Sequence, residues 1–358
     1  MSSTPPLYDS YLSEKENYEK FGFRAKPKLI YHFERESRIC LIKSQEEDSE
    51  SRYYIFKVAD VNECKYQLII PYHIRPTIFR IIKSDSGKYY MLMDYIASFD
   101  LWKFKPLTEK YPRSDINFYI AKIIFGSLYE LLLLQSNGYI HQDISPDNIV
   151  FDVNFDPWII DFGQVKEKIS GSVAESTRIS GQPKGKDKYI SKYRAQNNGK
   201  FFYYEDDQLV SWAKSVLDVF FGDIKDGDPW YPIKQEIENI LEFEKKDEKT
   251  KQDGINTYKR FVESIPRLIN QHVRKIIPNF DEFQSFLSHV CNNSEFSFRK
   301  IEEDSLTNFY IDKNETERRI ERGFVLGTQE NINKLIKICS NTNLPSGVTD
   351  MLDRLAEK

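Results

Sequence analysis

Cysteine is scarce. The chain of 358 residues has four, Cys40, Cys64, Cys291 and Cys339, far apart and in no Cys-x-x-Cys pair. This argues against a disulfide framework and a zinc site of the usual spacing, and predicts a reducing compartment. A dominant charge is also lacking. Lys plus Arg number 51 and Asp plus Glu 55, for a net charge of −4, so nothing electrostatic favours nucleic acid as the main partner. Long apolar runs are absent. The longest, 120–134, is interrupted by Lys122, Gly126, Ser127 and Glu130, short of the ~18 unbroken residues a membrane span needs. Residues 1–15 are polar and lack the apolar core of a secretory signal. The expectation is a cytoplasmic protein with no membrane partner. What is present is core material. Apolar residues are 40% and aromatics 14%, enough for one large domain or two modest ones.

The first quarter reads as strands. Leu29–Phe33, Ile39–Ile42, Tyr53–Val58, Thr77–Ile82 and Lys88–Met93 are short β-branched and aromatic runs. Ser84-Asp-Ser-Gly87 reads as a hairpin turn, acidic 44–51 as a solvated turn, and Val61–Ile70 as one short helix. After Asp94 the texture becomes helical, with 3.6-residue periodicity over Ser114–Leu134 and Gln208–Phe221. Helix continues through much of 232–291, broken at Pro232, Pro266 and Pro278. Two amphipathic segments, Gln329–Cys339 and Val348–Ala356, end the chain. A β-rich lobe joined to a larger helical one predicts a ligand cleft between them.

The chemistry concentrates in Gly138-Tyr-Ile-His141-Gln142-Asp143-Ile-Ser145-Pro146-Asp147-Asn148, followed by Ile159-Ile-Asp161-Phe162-Gly163. Bunched carboxylates and an amide beside short apolar strands suit phosphoryl transfer. One carboxylate faces the attacking hydroxyl, while an amide and a second carboxylate hold the metal that neutralises phosphates.

With these ordered motifs the sequence resembles the eukaryotic-type protein kinase family over about residues 25 to 300. The resemblance implies a bilobal α+β kinase-like fold: a polar leader 1–25, an N-lobe 26–95, a C-lobe 96–310 and a helical extension 311–358. It implies ATP and Mg²⁺ as cofactors and a protein Ser/Thr substrate. Asp143 would be the base, Asn148 and Asp161 metal ligands, and Lys57 the strand lysine that contacts nucleotide phosphates. Glu63 would pair with Lys57 across a shortened interval. Met93 would be the gatekeeper, with Asp94, Tyr95 and Ile96 as the hinge that meets adenine. Gly185 to Ser191 resembles the end of an activation segment, nearest to the first group of casein kinases. Asp206-Asp207 and Ser211-Trp212-Ala213 fit the following buried-Asp helix.

The sequence departs from the family in places. His32, Glu34 and Ser37 stand where a Gly-x-Gly-x-x-Gly loop belongs, so weak nucleotide clamping is expected. Gln142 replaces the arginine that gathers an activation-segment phosphate, and Tyr193-Arg-Ala-Gln196 replaces Ala-Pro-Glu. Ser145 replaces the catalytic-loop lysine, whose ammonium Lys186 is expected to supply. The basic run Lys184, Lys186, Lys188, Lys192 and Arg194 suits acidic or pre-phosphorylated substrates. Two other readings stand beside the kinase: a pseudokinase scaffold, and a small-molecule phosphotransferase of the aminoglycoside type.

Overall fold

Alternation along the first strands builds a five-stranded antiparallel sheet in the order β1-β2-β3-β5-β4. Its members are β1 (Lys28–His32), β2 (Ile39–Lys43), β3 (Tyr53–Ala59), β4 (Ile78–Lys83) and β5 (Tyr89–Asp94). The computed structural model describes residues 8–33, 38–45, 51–70, 75–108, 110–170, 173–177, 188–189, 196–197, 200–242, 257–291, 306, 309–321, 325–340 and 342–356. The chain divides into two units, Met1–Ser98 with Phe296–Lys358, and Phe99–Glu295.

In the first unit the period of two sends alternate side chains to opposite faces of the sheet. Phe56 and Leu92 face one way, into a cluster with Tyr8, Leu12, Phe21 and Phe23. Met91 and Met93 face the other, against Cys64 and Leu68 of α2 (Val61–Ile69). The Ser84–Gly87 turn forms as expected, with Gly87 at φ 79° and the Lys88 N–H bonded to Ser84 Oγ at 3.2 Å.

The second unit begins with β6 (Ser98–Asp100), α3 (Phe104–Thr108) and the long helix α4 (Arg113–Ser136). Strands β7 (Tyr139–Ile140), β8 (Ile149–Asp152) and β9 (Pro157–Ile159) flank the loop bearing His141 to Asn148. Next come β10 (Lys166–Ser170), β11 (Val173–Thr177), β12 (Gln196–Asn197) and β13 (Lys200–Tyr204), then α5 (Glu205–Phe220), α6 (Tyr231–Ile240), α7 (Thr257–Leu268) and α8 (Phe280–Cys291). Helix α4 is long and apolar enough to cross a membrane by length and composition alone. Here it is a core helix, with Ile123, Ile124, Leu128 and Leu131 fully buried. Trp212 of α5 is also fully buried and donates its indole N–H to Ser127 Oγ at 3.0 Å.

Gly126 shows how tightly α4 packs. A Cβ there would lie 2.5 Å from Pro157 Cγ and 2.9 Å from Phe286 Cζ. Gly126→Ala should therefore destabilise by about 1–3 kcal/mol despite alanine's better helix propensity. Chemical denaturation would show this, and a stabilised variant would contradict it.

The chain then returns to the first unit through α9 (Lys313–Glu321), α10 (Gln329–Cys339) and α11 (Ser346–Ala356). The segments read from sequence as a polar leader, 1–25, and a helical extension, 311–358, both contribute to the core of the first unit. Both are built into the first unit because their sparse apolar residues are buried there: Tyr8, Leu12, Phe21 and Phe23 from one, Ile311 and Val325 from the other. The Ile81 N–H reaches Phe309 O and the Ile311 N–H reaches Phe79 O, both at 3.0 Å, so the returning chain lines β4. Pro266 also differs from expectation. It lies inside α7 rather than ending it, and a π-helical turn, Ile269–Val273, follows.

Candidate active site

The candidate group in the first unit is an ion pair. Lys57 on β3 belongs to the sheet face that carries α2, and its Nζ contacts Glu63 Oε1, the two side chains being only 12% and 9% exposed. The short interval works because α2 starts at once. Asp60 caps it by accepting the Glu63 N–H at 2.8 Å, which puts Glu63 in the first turn, where the helix dipole favours a carboxylate. Burial, with Glu63 adjacent, pushes the Cys64 thiol up to about 12, so it is no nucleophile.

The expected hinge begins on the last two residues of β5. Met93, Asp94, Tyr95 and Ile96 are all buried. The Asp94 N–H bonds Thr77 O at 2.8 Å and the Tyr95 N–H bonds Tyr53 O at 3.3 Å. Burial raises the Asp94 carboxyl to about 7, against the lowering pull of the Leu326 and Gly327 N–H groups.

The candidate group in the second unit is the loop after β7. His141 is fully buried. Its Nδ1 accepts the Asp143 N–H at 3.4 Å, which leaves Nε2 protonated and donating to Ile160 O at 3.1 Å. Asn148 Nδ2 donates to Asp143 O at 2.8 Å, and the Ile160 N–H bonds Asn148 O at 2.9 Å. One mesh thus joins His141, Asp143, Asn148 and the residue before Asp161. Asp161 and Gln142 occupy the left-handed region at φ 64° and 67°. Such strain costs ~1–3 kcal/mol per residue and gathers at functional sites. Ser145 is 1% exposed, and its hydroxyl has no hydrogen-bond partner among the described residues.

Sequence reasoning assigned the helix anchor to Asp206-Asp207 and missed Gln208. Gln208 Oε1 accepts the His141 N–H at 2.5 Å, and its side chain is buried. An amide in a helical run carries no sequence signal of that role. Lys188 and Tyr189 both meet Asp218, at 2.7 Å each. Glu34, Ser37, Lys184, Lys186, Lys192 and Arg194 lie outside the described residues, so the geometry does not bear on Lys186 standing in for the loop lysine.

Burial drives the His141 pKa down to about 4, against the opposing pull of Asp161. In the unfolded chain the imidazole titrates near 6.5. As pH falls through that window the unfolded state takes up a proton that the folded state refuses, so stability is lost between about 6.5 and about 4. The His141 ring resonances should accordingly titrate near 4; an inflection near 6.5 would contradict this burial.

The first unit thus carries a buried Lys–Glu pair on a five-stranded sheet, and the second a His-x-Asp-x-x-x-x-Asn loop bonded to the residue before Asp-Phe-Gly. No family model matches the chain. It is 28% identical to human serine/threonine-protein kinase MRCK gamma over 144 residues, 39% of this chain and 9% of that one. It is 32% identical to human MRCK beta over 145 residues, 39% of this chain and 8% of the other. With cAMP-dependent protein kinase type 3 of Saccharomyces cerevisiae it shares 29% over 143 residues, 36% of this chain and 34% of that one. Among solved structures, the Cydia pomonella granulovirus kinase PK-1 aligns over 60% of this chain and 85% of its own at 14% identity and a TM-score of 0.40. The chain spans about a third or less of these curated relatives. These distant relatives support a protein-kinase-like superfamily and a kinase-like function for a chain with one unit built on a five-stranded sheet and a second that is mostly helical.

Proposed function

We propose that the chain is an ATP- and magnesium-dependent protein kinase acting on Ser or Thr. The observation that carries this is the Lys57–Glu63 ion pair, formed in a buried setting despite its shortened interval. Two desolvated charges are expensive to keep, and a scaffold with no nucleotide has no use for them. Asp143, Asn148 and Asp161 complete the set in the second unit.

The residues fit the cofactors. Asn148 uses its Nδ2 on Asp143 O, which leaves a side-chain oxygen to serve, with the Asp161 carboxylate, as the kind of hard donor magnesium takes. Among the described residues no three His, Cys, Asp or Glu side chains converge on a metal site. Magnesium held by one carboxylate, an amide and nucleotide phosphates needs no such cluster. When bound, the ion would neutralise phosphate charge. Lys57, oriented by Glu63, would hold phosphate oxygens. The hinge main chain at Asp94, Tyr95 and Ile96 would meet adenine. Asp143, its backbone held by His141 and Asn148, would take the proton of the substrate hydroxyl. The basic 184–194 run favours acidic or phosphorylated protein segments as substrates. Incubation with labelled ATP and magnesium tests the reading: label incorporated by the wild type and absent from Asp161→Ala supports it. No incorporation by the wild type, alone or with an acidic protein, would leave the scaffold reading.

A further inference from the structure

One group of buried polar contacts that the proposed reaction does not use gathers at the end of β5. Asp94 is 2% exposed, and its carboxylate is taken up by main chain from the far end of the sequence. Leu326 N–H donates to Oδ2, and Gly327 N–H donates to Oδ1 at 2.9 Å. Gly327 O in turn accepts the Tyr53 N–H at 2.8 Å, and Tyr53 O accepts the Tyr95 N–H. The circuit therefore runs from Tyr95 through Tyr53 and Gly327 and closes on Asp94, the neighbour of its starting point. Flanking bonds hold the same segment: Tyr53 Oη to Gln329 Oε1 at 3.0 Å, and Asn331 Nδ2 to Leu326 O at 3.1 Å. The Tyr95 hydroxyl is directed at Met351 Sδ of α11, 3.9 Å away. The side chains of Asp94 and Tyr95 thus both meet the returning C-terminal segment.

Gly327 is required for this approach. A Cβ there would lie 2.7 Å from Asp94 Oδ1 and nearer still to the Tyr53 carbonyl oxygen. The Tyr53 oxygen is backbone and the Asp94 carboxylate is buried and hydrogen-bonded, so the contact cannot be relieved cheaply. Apolar packing alone would have docked a tail at lower cost than a buried carboxylate does. What the carboxylate adds is a fixed orientation for residues 94 and 95.

We infer that residues 325–329 are a positioning element of the nucleotide site, in which Gly327 and the Asp94 carboxylate fix the hinge main chain that meets the adenine ring. The inference rests on the proposed function and extends it to a part of the chain far from the kinase motifs. The experiment compares wild type, Gly327→Ala and Asp94→Asn in the full chain. Calorimetry would measure two probes with magnesium, adenosine imidotriphosphate and tripolyphosphate, and hydrogen exchange would follow the amides of Leu326 and Gly327. Each variant should bind the adenosine compound ~10–100-fold more weakly, as misplacement by about an ångström would cause. Tripolyphosphate affinity should not change, and both amides should exchange faster than in the wild type. Unchanged nucleotide affinity in Asp94→Asn, or equal weakening of both probes, overturns the inference. If Gly327→Ala does not fold, the isosteric Asp94→Asn carries the test. A wild type that protects both amides but binds neither probe overturns the functional reading and the positioning role together. Unprotected amides in a wild type that binds nucleotide overturn the lock alone.

Discussion

Replacing Asp143 by Asn is expected to lower phosphate transfer by ~10²–10⁴-fold, the range for removal of a positioned general base. The structure makes this substitution informative because the loop is held through the main chain of residue 143. The Asp143 N–H bonds His141 Nδ1, and Asp143 O accepts from Asn148 Nδ2. An isosteric amide keeps both bonds and changes only the carboxylate. Melting temperature and nucleotide affinity should therefore stay at wild-type values while single-turnover transfer falls. Asn148→Ala differs in kind, since it removes a bond to the loop backbone together with a candidate magnesium donor. It should weaken magnesium dependence as well as rate. Undiminished transfer by Asp143→Asn would remove the base assignment, and loss of folding would show the carboxylate to be a structural group.

Legibility in the sequence followed the range of the contacts involved. The five strands and α2 were readable because alternation and a capped start are local, and the observed bounds lie within a residue or so of the expected ones. His141, Asp143, Asn148 and Asp161 were readable by spacing, since one loop and the next turn hold them all. Glu63 was readable despite its odd interval because its spacing to His73-Ile74 before the next strand resembles the family's, and the Asp60 cap three residues earlier shows how so short an interval is accommodated. The return of the C-terminal segment was not. Leu326 is 232 positions from Asp94, and nothing in a short glycine-containing loop announces a bond to a buried carboxylate. The leader was hidden for a different reason. Tyr8 and Leu12 are two apolar residues in a polar stretch, and only the exposed face of the sheet under them makes four-residue spacing meaningful. Gln208 sits 67 positions beyond His141, beside the buried Asp207 that the sequence did indicate, and an amide there carries no signal of the bond it accepts. Long-range hydrogen bonds to backbone leave no pattern in sequence.

The second large effect concerns Lys57 and Glu63, where stability and function can be separated. Removing either partner breaks the ion pair in a site that leaves about a tenth of each side chain exposed. Such a loss costs about 3–5 kcal/mol. Lys57→Met and Glu63→Leu should each destabilise on that scale. Together they replace two buried charges by two apolar groups of similar size, a change that is often neutral or stabilising. The double variant should therefore recover most of the stability that each single variant loses. Phosphate transfer should not recover with it, because an apolar side chain at position 57 offers nothing to a phosphate. A double-mutant cycle in denaturant, run beside transfer assays on the same four proteins, checks both halves. A double variant that regains stability and transfer together would make the pair a structural brace and take Lys57 out of the nucleotide site. One that regains neither would mean that the lysine and glutamate are held by further groups around β3 and α2, and that their burial is not explained by each other.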